Sequence, residues 1–274
     1  MGYRILARKT ALSEVEEDYR IGSGYTVVGK EALKNNIRLK RIQLPGISII
    51  ETQAFYNCTA LSSAEFPRIT AVREEAFANC SNLREAVFPS SLKTLGPASF
   101  LKCKRLGKIR FENNTVCTRI PQECFAECRM LQELMLPRNL VSIEEKAFYK
   151  CDRLHSLILP ETLKKIGSKA FYQCGFSRLQ LPEGLESIGE SAFLKCKNLQ
   201  YIRIPESVKT IGKWAFHGCG RLEVLEIHHD PEEVGEWITN KNCTIRCRKE
   251  SKMHRYAEEY GAHIEFINEN VNFK

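Results

Sequence analysis

The sequence predicts a repeat solenoid: a right-handed superhelix with one parallel sheet on its concave side and short helical or 3-10 turns between strands. Three observations predict it. An apolar anchor, almost always Phe, recurs at a nearly fixed period. A cysteine follows the anchor at a fixed distance. A pair of apolar residues one position apart then closes the unit, usually before proline. A single period of this size along one chain is the signature of stacked supersecondary units.

The anchors are Leu33, Phe55, Phe77, Phe100, Phe125, Phe148, Phe171, Phe193 and Phe216, separated by 22, 22, 23, 25, 23, 23, 22 and 23 residues. Five positions before each stands an aliphatic, from Val28 and Ile50 to Ile188 and Ile211. Three positions after it stands a Cys, from Cys58 to Cys219, with Asn36 in the first unit. A small, apolar, weakly donating side chain suits a turn where the chain re-enters the core and a carbonyl needs a partner. Gly96, Gly167, Gly189 and Gly212 follow the aliphatic and suggest a tight turn or a positive φ.

The closing pairs, such as Leu134 with Leu136 and Ile202 with Ile204, alternate as a short strand with one buried face does. Proline lacks an N–H and ends the ladder there. One unit cannot bury its own apolar set, but stacked units can. At about 4.8 Å per strand, nine units give a sheet of roughly 40 Å.

Residues 25–229 hold the repeats. Residues 1–24, with Tyr3, Ile5 and Leu6 and an acidic run around Glu16 and Asp18, form an N-terminal cap or a degenerate repeat. Residues 230–274 form a C-terminal strand-helix-strand cap, with Ser251 capping a helix that Gly261 ends. Two units are irregular. Extra residues lie near Phe111, Glu112, Asn113 and Asn114, and one residue is missing between Cys174 and Leu181. Insertions in such arrays map to loops.

The pattern L-x-x-I-G-x-x-A-F-x-x-C-x-x-L-x-x-I-x-L-P, matched by Leu185 to Leu199 and by Leu163 to Cys174, resembles the BspA-type (treponemal-type) leucine-rich repeat. The resemblance implies a leucine-rich-repeat β/α superhelix of bacterial or protist type. Proteins of that family are often surface adhesins, and it offers no shared catalytic residues to carry over.

The net charge of +8 is moderately basic. The densest clusters, Lys102 to Arg105 and Arg246 to Lys249, each enclose a Cys and read as a solvated rim, so nucleic acid is not the expected partner. Residues Met1 to Lys9 lack the apolar run of a secretory signal, Gly2 lacks the context for myristoylation, and no run of apolar residues approaches a membrane span. Twelve cysteines, eight at one repeat position, read as reduced and buried thiols. The expectation is a cytoplasmic protein. A chain trimmed of a leader would instead be secreted or displayed at a cell surface.

The sequence holds no phosphate-binding, hydrolase or zinc-protease motif. Cys117, Cys124 and Cys128 form the densest thiol group, and His155 is the nearest base in sequence. Cys243 and Cys247 lack a second pair at zinc spacing, and His217, His228, His229 and Asp230 read as loop residues. The expectation is no enzyme, no cofactor and no metal. What remains is the outward row of the strands: Arg41 and Gln43, Ser63 and Glu65, Glu85 and Val87, Lys108 and Arg110, Glu133 and Met135, Ser156 and Ile158, Arg178 and Gln180, Tyr201 and Arg203, Val224 and Glu226. Arg41, Val87, Lys108, Arg110, Met135, Ile158, Arg178, Tyr201, Arg203 and Val224 are the candidate partner-binding residues, because exposed apolar, aromatic and Arg side chains gather at interfaces. The expected function is a non-catalytic interaction protein that binds a protein or a glycan on this face. The alternative is an adhesion or display module at a cell surface.

Overall fold

The computed structural model describes residues 4–22, 24–113 and 116–267. Tyr3, expected in the N-terminal cap, and Asn114, expected in the long turn, lie outside them. The chain is a parallel-strand solenoid of eleven turns, with hydrogen bonds joining successive turns on three sides.

The aliphatic before each anchor ends a two-residue strand. Ile5–Leu6, Val27–Val28, Ile49–Ile50, Ala71–Val72 and Thr94–Leu95 pair in parallel, in that order. Arg119–Ile120, Ser142–Ile143, Lys165–Ile166, Ser187–Ile188, Thr210–Ile211 and Glu233–Val234 continue as a second run. This short ladder adds to the single sheet that the sequence pattern anticipates. Its one break falls at the 25-residue repeat, where the extra residues separate Leu95 from Ile120.

The apolar pairs form the longer strands. Asp18–Arg20, Arg41–Gln43 and Ser63–Glu65 pair together, as do Glu85–Phe88, Lys108–Phe111 and Glu133–Met135. Tyr201–Ile204, Val224–Ile227, Thr244–Cys247 and His263–Phe266 form a third group. The helix Lys252–Tyr260 connects the last two strands. Ser251 Oγ accepts from the His254 N–H at 3.1 Å, and Gly261 ends the helix in the left-handed conformation.

The A-F-x-x-C segment makes the third side. Alternate amides bond three residues back, as in a 3-10 turn: Ala54 to Glu51, Tyr56 to Gln53 and Cys58 to Phe55. The amides between them bond to the next turn: Gln53 to Glu74, Phe55 to Ala76 and Asn57 to Ala78. This dual pattern requires positive φ two residues before and two after the anchor, as at Gln53 and Asn57 or Lys169 and Gln173. Each such residue carries strain of order 1–3 kcal/mol, held by bonding within and between turns.

The anchors lie in one column inside the coil. Phe148, Phe171, Phe193 and Phe216 stack with ring centroids 5.4, 5.4 and 5.1 Å apart, and each is fully buried. The column of thiols beside it does what the turn requires. Cys80 donates to the Phe55 carbonyl at 3.1 Å, Cys103 to Phe77 at 3.2 Å, and Cys196 to Phe171 at 3.1 Å. All twelve cysteines are buried and unbridged. The repeat glycines serve close approach rather than a special φ. None of Gly96, Gly167, Gly189 and Gly212 has positive φ. A Cβ on Gly96 or Gly212 would lie 2.3 Å from the amide nitrogen of Glu74 or Glu190 in the turn below.

Candidate recognition surface

Between Met135 and Tyr201 the long ladder is absent. Residues 156–159 and 178–181 hold extended outward rows, but no backbone hydrogen bond ties either to its neighbours; Ser177 N–H to the His155 carbonyl, at 3.3 Å, is the nearest. The cause is local. Phe176 stands two residues after Cys174, where other units place the apolar residue three after. A one-residue slip shifts residues 178–181 against both neighbouring turns; the pair 133–135 and 156–158 also lacks ladder bonds, although both of its units keep the regular spacing. At the shortened corner a Cβ on Gly175 would lie 2.4 Å from the Asp152 carbonyl oxygen, and His155 Nδ1 sits 3.0 Å from the Gly175 carbonyl. The short ladder behind stays intact, so the turns separate on one side only.

A groove of about 940 Å³ opens over this interruption. Its floor carries Leu134, Leu157 and Leu179. Ile158 is 90% exposed, Met135 55% and Tyr201 44%. Of the candidate residues, Arg110, Met135, Ile158, Arg178, Tyr201, Arg203 and Val224 line this one groove. Arg41 and Lys108 instead line a separate polar hollow with Arg84 and Glu85. Val87 is half-buried opposite Arg110 in the ladder, outside the groove.

Charges on the walls are largely paired. Glu133 meets Lys108 at 3.4 Å and Arg110 at 3.6 Å, and Arg203 meets Glu183 at 3.1 Å. Arg41 pairs with Asp18. Among the described residues, Arg178 has no ion pair. Beyond one end of the groove, Glu226 holds His228 at 2.8 Å and Arg246 at 2.8 Å, while Arg246 also meets Glu265 at 3.0 Å. Burial pushes the Glu226 carboxyl up, but hydrogen bonds from Arg246, Tyr201 and His228 outweigh it and hold the group below its ordinary range. Burial and Glu226 together push the Tyr201 phenol up.

Sequence reasoning missed Gln132, Ser177, Glu183, Gln200 and Glu223, which also line the groove. They lie at strand ends, outside the alternating row. The missing residue after Cys174 was the available signal.

The thiols and histidines are spread over separate partners. Cys117 donates to the Arg119 carbonyl at 3.4 Å, Cys124 lies 3.2 Å from Ser99 Oγ, and Cys128 donates to the Phe100 carbonyl at 3.4 Å. Burial pushes all three thiols up, away from the thiolate that a nucleophile or ligand needs. His217 meets the Thr239 carbonyl at 3.4 Å and His229 the Val208 carbonyl at 2.7 Å. Cys243 points to the Thr244 carbonyl at 3.7 Å. Among the described residues no three His, Cys, Asp or Glu side chains are grouped to hold a metal, and no helix is long and apolar enough to cross a membrane.

A stack of short-stranded turns with a thiol column and one open face defines the class as a leucine-rich-repeat protein. The chain belongs to the BspA type leucine rich repeat family, whose model matches residues 17–116 and 118–246 in 6 copies. That family is one of surface and adhesion proteins. No curated protein matches in sequence. Among solved structures, the chain is similar to a leucine-rich repeat protein from Bacteroides ovatus, at 19% identity over 89% of this chain and 88% of that one, with a TM-score of 0.52. It is also similar to the pneumococcal vaccine antigen PcpA, at 16% identity over 93% and 90% with a TM-score of 0.44. A T. pallidum leucine rich repeat protein matches at 21% identity over 87% and 89%, with a TM-score of 0.45.

Proposed function

We propose that the protein is a non-catalytic recognition module that binds an extended segment of a protein partner in the groove between Met135 and Tyr201. One observation carries this reading: the groove lies where the long ladder is interrupted, so apolar side chains and unpaired backbone groups face solvent together. An extended peptide satisfies both, with its main chain on the backbone groups and alternate side chains on Met135, Ile158 and Tyr201. A glycan suits this groove less well, since one Tyr is its sole aromatic platform among aliphatic walls. Residues 1–24 and 230–274 are assigned in the same reading to the ends of the stack, where they cover core that no further repeat would bury.

The test is selection of peptides from a random library on the intact protein, followed by affinity measurement against Ile158→Asp. At least about a tenfold loss is expected, since a buried carboxylate replaces an apolar anchor. Selected peptides that bind Ile158→Asp as tightly as the parent would refute the assignment.

A further inference from the structure

The corners that follow each Cys carry a second, separate surface. The repeats pass from the thiol to the long strand through a two-residue turn, shortened to the buried Gly175 in the irregular unit, and Lys104, Arg105, Arg129, Arg153, Lys197 and Arg221 are exposed in these turns. Backbone bonds fix these corners one above another: Lys102 N–H to the Ala126 carbonyl, Glu127 to Tyr149, Lys150 to Tyr172, and Lys195 to His217. The corner residues therefore form a row along the axis, although they stand about one repeat apart in sequence. Lys104, Arg105, Arg129, Arg153, Lys197 and Arg221 fall in it, and Asp152 is its single carboxylate. At about 4.8 Å per turn the row from Lys104 to Arg221 spans roughly 24 Å.

On other edges some cations meet a carboxylate on an adjacent turn, as in Lys164–Glu186 at 3.2 Å, Lys209–Glu232 at 3.7 Å and Lys213–Glu236 at 2.7 Å. In the corners only Arg129 has an ion pair, with Glu127 of its own turn at 3.6 Å; among the described residues Lys104, Arg105, Arg153, Lys197 and Arg221 have none. A line of unneutralised cations this regular raises the local concentration of a polyanion and attracts one that can lie along it.

We propose that this edge binds an acidic polysaccharide, a thin extended chain carrying sulfate or carboxylate groups at short intervals. The shape and composition of the row select among polyanions. A nucleic-acid duplex winds its phosphates around a thick rod and meets a straight row only where the backbone crosses it. Single-stranded nucleic acid is held by aromatic platforms between the cations, and no corner residue is aromatic. Asn198 within the row donates its amide to the Gly175 carbonyl at 3.5 Å and leaves its oxygen for a sugar hydroxyl, and Thr59 and Ser81 add hydroxyls on the turns before Lys104. Arg supplies the forked donor geometry that fits sulfate and carboxylate. This site is independent of the peptide groove and survives its failure.

The test is a titration of the whole protein with a heparin decasaccharide, alongside a single-stranded DNA 12-mer, at 50 and 200 mM salt. The decasaccharide is expected to bind at 50 mM and to lose at least about tenfold in affinity at 200 mM, as a contact driven by counterion release does. The double variant Arg105→Gln/Arg153→Gln should lose at least about fivefold, Arg153→Gln alone should lose part of that, and Lys213→Gln on another edge should lose nothing. Absence of binding at 50 mM, equal affinity for parent and double variant, or tighter binding of the DNA than of the decasaccharide would each overturn the proposal.

Discussion

Cys151 shows how one side chain serves the repeat. Its Sγ donates to the Phe125 carbonyl at 3.4 Å in the turn before, inside a core that water does not reach. Cys151→Ala removes one of two bonds to that carbonyl, which the Cys128 N–H still meets at 3.3 Å, and should cost about 0.5–1.5 kcal/mol in urea unfolding. Phe148 stacks on both Phe125 and Phe171, and Phe148→Ala should cost about 3–5 kcal/mol as a cavity in the column. A cost under about 1 kcal/mol would place the core elsewhere. Gly189 is a sharper probe. A Cβ there would lie 2.6 Å from the Gly167 carbonyl carbon, so Gly189→Ala and Gly189→Asn should destabilise alike. Rescue by Asn, which tolerates positive φ, would contradict the close-approach explanation. The role of the Cys was legible because one residue type recurred at one position. The role of the glycines was not, because close approach to another turn is a contact between distant residues and leaves the same mark in sequence as a strained φ.

At the scale of elements, alternation located most of the long strands but also predicted strands at Leu157–Leu159 and Leu179–Leu181, which stay unpaired, and the short ladder was not foreseen. Two residues are too few to show a period, and Ile188 reads equally well as a core point on a turn. The groove was half legible. Its apolar members, Met135, Ile158 and Tyr201, stood in the outward row, and the shortened repeat after Cys174 was visible. Their connection was not, since the loss of a ladder depends on how neighbouring turns sit. The last strands carry a pH-sensitive contact. The Glu226 carboxyl, held low by Arg246, Tyr201 and His228 against its burial, contributes stability that is fully present above the ordinary carboxylate range and lost as pH falls through its own lowered value. Thermal melts of the parent and Glu226→Gln should therefore differ at pH 7 and converge in acid. A constant difference down to pH 2 would contradict this linkage.

The whole molecule behaves as a one-dimensional stack, in which each turn contacts only its neighbours. The thiol column sets its response to alkali. Burial pushes the thiols of Cys80, Cys103, Cys128, Cys174 and Cys196 up, so they stay protonated in the fold at pH values where an unfolded thiol, near 8.5, ionises. Their contribution is complete below the unfolded value and is lost as pH rises beyond it. The melting temperature should fall steeply above about pH 9, and a flat profile to pH 11 would contradict the buried column. Charge shows the same scale effect. Cations one repeat apart, dispersed in sequence, become a single row once the turns are stacked.

The most direct test of the account is native-state amide hydrogen exchange along the long-strand face. The account predicts that amides of Leu157, Ile158, Leu159, Leu179 and Leu181, in the interrupted ladder, exchange far faster than those of Ile202 and Leu225 in the paired strands. It also predicts that a selected peptide slows exchange at the first group and leaves the second unchanged. Equal protection of both groups in the free protein would show a continuous ladder and remove the structural basis of the groove.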